Sequence, residues 1–158
     1  MSWKGERGEY WVLAQMVLLI GFAWMPVYRP EHWVEAVWLR DVSWAIAAML
    51  GVTALVLLFK GLLDLGTNLT PLPLPKEQGE LIQSGVYGLV RHPLYGGLTL
   101  AAFSWALIQL SLSHLLAAVV LLLFFNAKAS QEEIWLSQKY PEYADYQQRV
   151  KKLIPWLY

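Results

Sequence analysis

The sequence contains no cysteine, which removes disulfides, thiol nucleophiles and cysteine-based metal sites together. Charge is scarce: Asp, Glu, Lys and Arg make up 15% of the 158 residues, against about 25% in soluble domains. The charges cancel to a formal net of zero, so no basic field exists to attract nucleic acid. Three histidines, His32, His92 and His114, stand far apart and offer no metal-ligand spacing. There is no Gly-x-Gly-x-x-Gly and no Gly-rich loop ending in Lys-Ser or Lys-Thr, so nucleotide sites of the soluble type are excluded by motif. A Gly-x-Ser-x-Gly nucleophile turn is also missing. What the chain lacks is the chemistry of a soluble enzyme.

What it has instead is apolar surface. Hydrophobic residues form 57% of the sequence, with nine Trp and eight Tyr; amphipathic rings of this kind favour the headgroup level of a bilayer. Tyr10–Tyr28 is 19 residues without a charge, long enough for about 30 Å of helix. Pro26 falls in its last turn, and Glu6 and Glu9 dilute the positive charge of Lys4 and Arg7 ahead of it, so it is expected to be a retained span rather than a cleaved leader. A second uncharged run of 18 residues covers Val42–Phe59, with Lys60 able to snorkel from its end.

Thr67–Glu80 breaks this pattern. Pro71, Pro73 and Pro75 alternate there and forbid regular helix. Pro93–Ser113 is again uncharged, with Pro93 suited to a helix start, and Ser111-Leu-Ser113 predicts a tight reversal into a fourth helix. That helix has only 13 uncharged residues, Leu115–Ala127, and must run on through Lys128, Glu132 and Glu133 toward Gln138 to span a bilayer. After Pro141, the spacing of Tyr143, Tyr146, Val150 and Leu153 predicts a short amphipathic helix lying on the membrane surface. The expected fold is therefore all-α and integral to the membrane. A single domain holds about four transmembrane helices: two lie in 1–65, and a helical hairpin lies in a core at 66–158.

Four spans place ten of the twelve Lys and Arg on one side, with only Arg29 and Arg40 opposite. The positive-inside rule then puts the termini, the Pro-rich loop and any active site in the cytoplasm. His32 and His114 fall on the far side and read as surface residues. On the near side, Ser84–Gly97 (S-G-V-Y-G-L-V-R-H-P-L-Y-G-G) concentrates the polar groups. His92 and Tyr95 are three residues apart at a helix start, so both can project over one edge of the first turn. Free N–H groups of that turn suit a carboxylate. An interfacial Arg-His-Tyr anchor is the plainer reading of these residues. Glu132-Glu133 offers carboxylates from the fourth helix, and adjacent residues point about 100° apart, so one of the pair is expected to face the bundle. The plainer alternative pairs Glu132 with Lys128 at i, i+4.

Four segments together resemble one family. They are L-T-P-L-P-L-P-K; L-I-Q-S-G-V-Y-G-L-V-R-H-P-L-Y-G-G; Q-E-E-I-W-L; and Y-x-x-Y-x-x-R-V-x-x-L-I-P. The chain from Gly66 to Trp156 is similar to the isoprenylcysteine carboxyl methyltransferases, and more broadly to the integral-membrane methyltransferases that include phospholipid N-methyltransferases. The Arg-His of the motif is nearer the carboxyl-methylating branch. The resemblance implies S-adenosyl-L-methionine bound by Tyr87, Arg91, His92, Pro93, Tyr95, Gly97, Glu132 and Glu133, with no metal. It implies Glu133 and Arg149 as catalytic groups, Arg149 orienting an acceptor carboxylate. The acceptor would be lipophilic and enter from the bilayer, as an isoprenylcysteine-like carboxylate does. A phospholipid or amine acceptor, an NADPH-dependent membrane reductase and a non-enzymatic membrane scaffold are the alternatives.

Overall fold

A computed structural model describes residues 8–70 and 72–158; Lys4, Glu6, Arg7 and Pro71, which enter the reading above, lie outside the described residues. The described residues form helices α1 (Glu9–Ala23), α2 (Glu31–Glu35), α3 (Val37–Leu65), α4 (Pro93–Ile108), α5 (Leu112–Lys139) and α6 (Tyr143–Arg149), with 3-10 turns at Gly66–Asn68 and Gly85–Gly88. They contain no β-strand, only one isolated parallel bridge between Val90 and Lys151. Two helices are long and apolar enough to cross a membrane, α3 with its 3-10 extension and α5, while α1 and α4 are apolar but shorter.

The helix bounds depart from the charge-free runs, for local reasons. Helix α1 stops at Ala23, short of Pro26, because proline lacks the N–H and disfavours helix in the residue before it. Helix α3 begins five residues ahead of Val42 and ends six beyond Phe59. Its charged residues continue the helix because they find outlets: Arg40 pairs with Asp41 at 3.0 Å and Lys60 with Asp64 at 3.5 Å. Helix α4 ends at Ile108, where Leu110 adopts φ 47° and turns the chain. Helix α5 then starts under a side-chain cap, with Ser111 accepting from the His114 N–H.

The principal interface joins α3 to α4, built on small residues so that the backbones approach closely. Ser104 Oγ donates to the Ala47 carbonyl at 2.8 Å, and Ala47 and Ala54 are fully enclosed there. A Cβ on Gly97 would meet Leu58 and the Ala54 carbonyl. Overpacking of that kind costs about 1–3 kcal/mol. Helix α5 packs on α4 through Ala102, Ala118, Leu121 and Phe125, and Leu18, Leu19 and Phe22 of α1 close that cluster from outside. The outer face of α3 is left apolar and exposed, from Met49 through Val52, Leu55, Val56 and Phe59 to Leu63. Such a face is suited to lipid.

Two expectations are corrected here. The last helix does not run from Pro141 through Leu153 but covers Tyr143–Arg149 alone. Beyond it the chain extends, because the carbonyls of Lys151 and Lys152 accept from the Arg91 and His92 N–H groups at 2.8 and 3.0 Å. His114 is not a surface residue: it is 2% exposed, bonds Ser111 Oγ at 2.8 Å and meets Phe22 edge-on.

Candidate active site

The Ser84–Gly97 stretch is held from three sides. Asp64 at the end of α3 accepts from the Val86 N–H at 2.8 Å, fixing the 3-10 turn that carries Tyr87. Tyr146 of α6 donates to the Tyr87 carbonyl at 2.6 Å, and Tyr87 donates to the Gly61 carbonyl at 3.4 Å. The extended segment after α6 takes up the N–H groups of Arg91 and His92. A Cβ on Gly96 would collide with the Leu153 carbonyl, so only glycine permits this approach. The Arg91 and His92 N–H groups taken up in this way precede Pro93, the first residue of α4.

The two carboxylates of α5 take different parts. Glu133 accepts from Arg91 Nε at 2.7 Å and faces His92 Nε2 at 3.2 Å. Glu132 accepts from the Tyr95 hydroxyl at 2.8 Å and lies 3.8 Å from His92 Nδ1. Both carboxylates thus meet His92, one at each ring nitrogen, where a single inward-facing glutamate was expected. Arg91 is further committed to the carbonyls of Gln147, at 3.1 Å, and Val150. His92 stacks on Tyr95 with ring centroids 5.5 Å apart, and Tyr95 stacks on Phe125 at 5.4 Å. The i, i+3 geometry of His92 and Tyr95 becomes one face of a three-ring column.

Above this column lies a cavity of about 470 Å³, in the range of small-molecule sites. Of the residues singled out in the sequence, Tyr87, Arg91, His92, Pro93, Tyr95 and Glu132 line it. Three others stand elsewhere. Gly97 packs against α3. Glu133 faces Arg91 and His92 from behind. Arg149 is exposed and bonds the Asp145 carbonyl at 3.3 Å and Gln83 Oε1 at 3.2 Å, outside the cavity wall.

The cavity also holds groups the sequence reading passed over. Lys128 is 2% exposed and donates to Gln15 Oε1 of α1 at 2.6 Å, with its ammonium 5.1 Å from the Tyr95 ring centroid. The anticipated Lys128–Glu132 ion pair is not among the salt bridges of the described residues. A lysine inside an apolar run is itself a signal of function. Tyr143 is 1% exposed, lines the same cavity, and its hydroxyl has no hydrogen-bond partner among the described residues. Its signal was periodicity, which marked it only as apolar. Burial, and after it the charge of Glu133, raises the Tyr143 pKa. Burial does the same for Tyr87 and Tyr146, so all three remain neutral donors.

The sequence profile of the phospholipid methyltransferase family matches residues 42–143. Among characterised proteins, the chain is similar to methanethiol S-methyltransferase 1 of Bradyrhizobium diazoefficiens, with 32% identity over 96% of this chain and 55% of the relative. A methanethiol S-methyltransferase from a Pseudomonas strain is 30% identical over 95% of this chain and 60% of its own length. A probable protein-S-isoprenylcysteine O-methyltransferase of Oryza sativa subsp. indica is 34% identical over 52% of this chain and 44% of the relative. The chain thus spans 44–60% of the length of these relatives. The profile match covers both the stretch that starts α4 and the Glu132-Glu133 pair of α5, and this chain belongs to the phospholipid methyltransferase family.

Proposed function

We propose that the chain is an S-adenosyl-L-methionine-dependent integral-membrane methyltransferase whose cavity accepts a small or lipophilic thiol or carboxylate. The observation that carries this reading is the cavity wall itself. It combines a carboxylate at Glu132, a buried ammonium at Lys128, stacked rings at His92 and Tyr95, and a buried Tyr143 hydroxyl with no partner. A ligand bearing a cationic centre, a carboxylate, hydroxyls and a flat heterocycle matches that set. On this reading Glu132 and Tyr95 hold the cationic or hydroxyl-bearing part, Tyr143 supplies a donor, and Leu69, Leu72, Pro73 and Pro75 cover the heterocycle.

Bound there, the sulfonium cofactor supplies an electrophilic methyl group. The chain's own contribution is alignment and exclusion of water. The stacked column fixes Tyr95 and hence the Glu132 carboxylate. Arg91 locks Glu133, which orients His92 from the opposite ring nitrogen. A carboxylate acceptor is already ionised at neutral pH, whereas a thiol gives its proton to water and reacts as the thiolate, a form that a nearby cation favours.

Two further features belong to this proposal. Helices α1, α3, α4 and α5 form four spans, with the cavity opening toward the cytoplasmic side that carries most of the basic residues. The acceptor resembles a small thiol more than a prenylated cysteine, because the thiol-methylating relatives align over nearly the whole of this chain and the isoprenylcysteine relative over half of it.

The test is labelled methyl transfer by the purified chain in detergent, with a small alkanethiol, a prenylcysteine analogue and an aminophospholipid offered in parallel. Label in the thioether product supports the reading. Label only in the phospholipid would move the chain to amine methylation, and no affinity for S-adenosylhomocysteine by calorimetry would remove it altogether.

A further inference from the structure

Lys128 is a cation deep in the wall of the cavity, as Arg91 is, but where Arg91 is paired with Glu133 at 2.7 Å, Lys128 feels the carboxylate of Glu132 only at longer range. It sits in mid-α5, is 2% exposed, and its hydrogen bond goes to the neutral amide of Gln15 at 2.6 Å. Among the described residues no carboxylate lies within 4.0 Å of its ammonium. Burying an unpaired charge is costly, and such charges are found paired or awaiting a partner. The ring of Tyr95 below it at 5.1 Å offers partial compensation, and Gln15 offers a dipole. Neither supplies a negative charge.

Position separates this group from the rest of the wall. Lys128 precedes Glu132 by one turn of α5, about 6 Å further from the loop side of the bundle. Phe125 and Leu121, both fully enclosed, fill the bundle on the far side of it. Lys128 therefore marks the inner end of the cavity, and Glu132, Tyr143 and the 69–82 loop mark the outer end. Arg149, to which the resemblance gave the part of orienting an acceptor, is exposed and bonds the Asp145 carbonyl and Gln83 instead of lining the cavity.

We propose that Lys128, with Gln15 and the Tyr95 ring, forms an anion subsite at the inner end of the cavity that binds the acceptor as a thiolate or carboxylate, and that the chain thereby selects anionic over amine acceptors. This deepens the methyltransferase reading of the same cavity and rests on it. The ammonium would balance the anion's charge, the Gln15 amide N–H would donate to it, and an ammonium or amine acceptor would meet a like charge in a buried site.

The anion is measured without any methyl donor, so that its result stands apart from the activity. Purified full-length chain in detergent is titrated with hydrosulfide, acetate or ethylammonium at constant ionic strength, and binding is read from the shift in thermal midpoint. Saturable stabilisation by hydrosulfide or acetate and none by ethylammonium is expected. In Lys128→Met the anion dissociation constant should rise by about tenfold or more, as for loss of a charged hydrogen bond, and Lys128→Arg should recover most of it. Should Lys128→Met fail to fold, Gln15→Leu keeps the ammonium and removes the amide donor, and anion binding should weaken about two- to fivefold there without being lost. S-adenosylhomocysteine affinity in Lys128→Met should stay within about twofold of the parent. If that affinity falls while anion binding does not, Lys128 holds the carboxylate of the cofactor and the proposal is overturned. Stabilisation by ethylammonium, no anion binding to the folded parent, or loss of anion binding in Gln15→Leu overturns it as well. Anion binding that behaves as expected in a parent with no affinity for S-adenosylhomocysteine would leave the subsite standing and sink the methyltransferase reading.

Discussion

Two histidines stand near helix starts in this bundle, and their neighbourhoods differ in one respect. At the start of α5, His114 is enclosed by groups that satisfy one another: Ser111 Oγ bonds its ring at 2.8 Å, Ser113 bonds the Pro26 carbonyl at 2.6 Å, and the Tyr28 N–H reaches Ser113 at 3.2 Å. At the start of α4, His92 sits between two carboxylates beside a cavity, near a tyrosine hydroxyl with no partner. Both clusters are polar islands in an apolar molecule. The closed one ties the α4–α5 turn to the chain after α1. The open one keeps bonding capacity in reserve, and reserve capacity in a buried site costs stability unless something binds there.

The comparison can be broken most sharply at Glu132. Replacing it with Gln removes the charge facing the cavity and keeps the shape, and S-adenosylhomocysteine affinity should fall by about 10- to 100-fold, the equivalent of 1.5–3 kcal/mol for a charged hydrogen bond. Calorimetry in detergent reads this. His114→Ala should do the reverse. Stability should drop by about 1–3 kcal/mol, from a cavity and the lost hydrogen bond between the imidazole and Ser111, while ligand affinity of the folded fraction is unchanged; thermal melts with and without ligand separate the two. A smaller effect is expected from Tyr143→Phe, which deletes the unpartnered hydroxyl. Ligand affinity should fall about two- to tenfold with melting temperature equal to or above that of the parent. Any loss of unliganded stability would mean the hydroxyl already has a partner. Smallest of all, Arg149→Ala should leave cofactor affinity within about twofold, since its contacts are exposed and lie outside the cavity.

The sequence made the α4 side of this site legible because the information there is local. Proline at a helix start, His92 and Tyr95 one turn apart, and a downstream Glu-Glu pair are short-range patterns. What stayed hidden depends on partners distant in sequence. Which glutamate faces the cavity is set by the rotation of α5 against α4, and both reach His92 because its ring presents two nitrogens. Gly97, which the resemblance set beside the cofactor, packs against Leu58 of α3. Arg149 looked central because it lies in a motif, yet α6 turns it outward. Periodicity through Val150 and Leu153 suggested helix where the chain in fact extends, since burial of Leu153 follows from pairing with Val90–His92 rather than from a helical face. Lys128 was visible as a charge at the end of an apolar run, where the plainer alternative paired it with Glu132, whereas its hydrogen bond goes to α1, more than a hundred residues earlier.

The extended segment after α6 has a consequence in time as well as in space. Arg91 reaches the Val150 carbonyl across 59 residues, and the backbone of Arg91 and His92 is registered by Lys151 and Lys152. As the chain is made, α1 through α5 hold both glutamates of α5 and the His92–Tyr95–Phe125 column before Tyr143 and Tyr146 of the cavity wall exist. The backbone register of Arg91 and His92 must wait longer, for residues 150–153. Assembly of the bundle and maturation of the site are then separate events, and the nascent site exists only in outline until the last of its tethers closes.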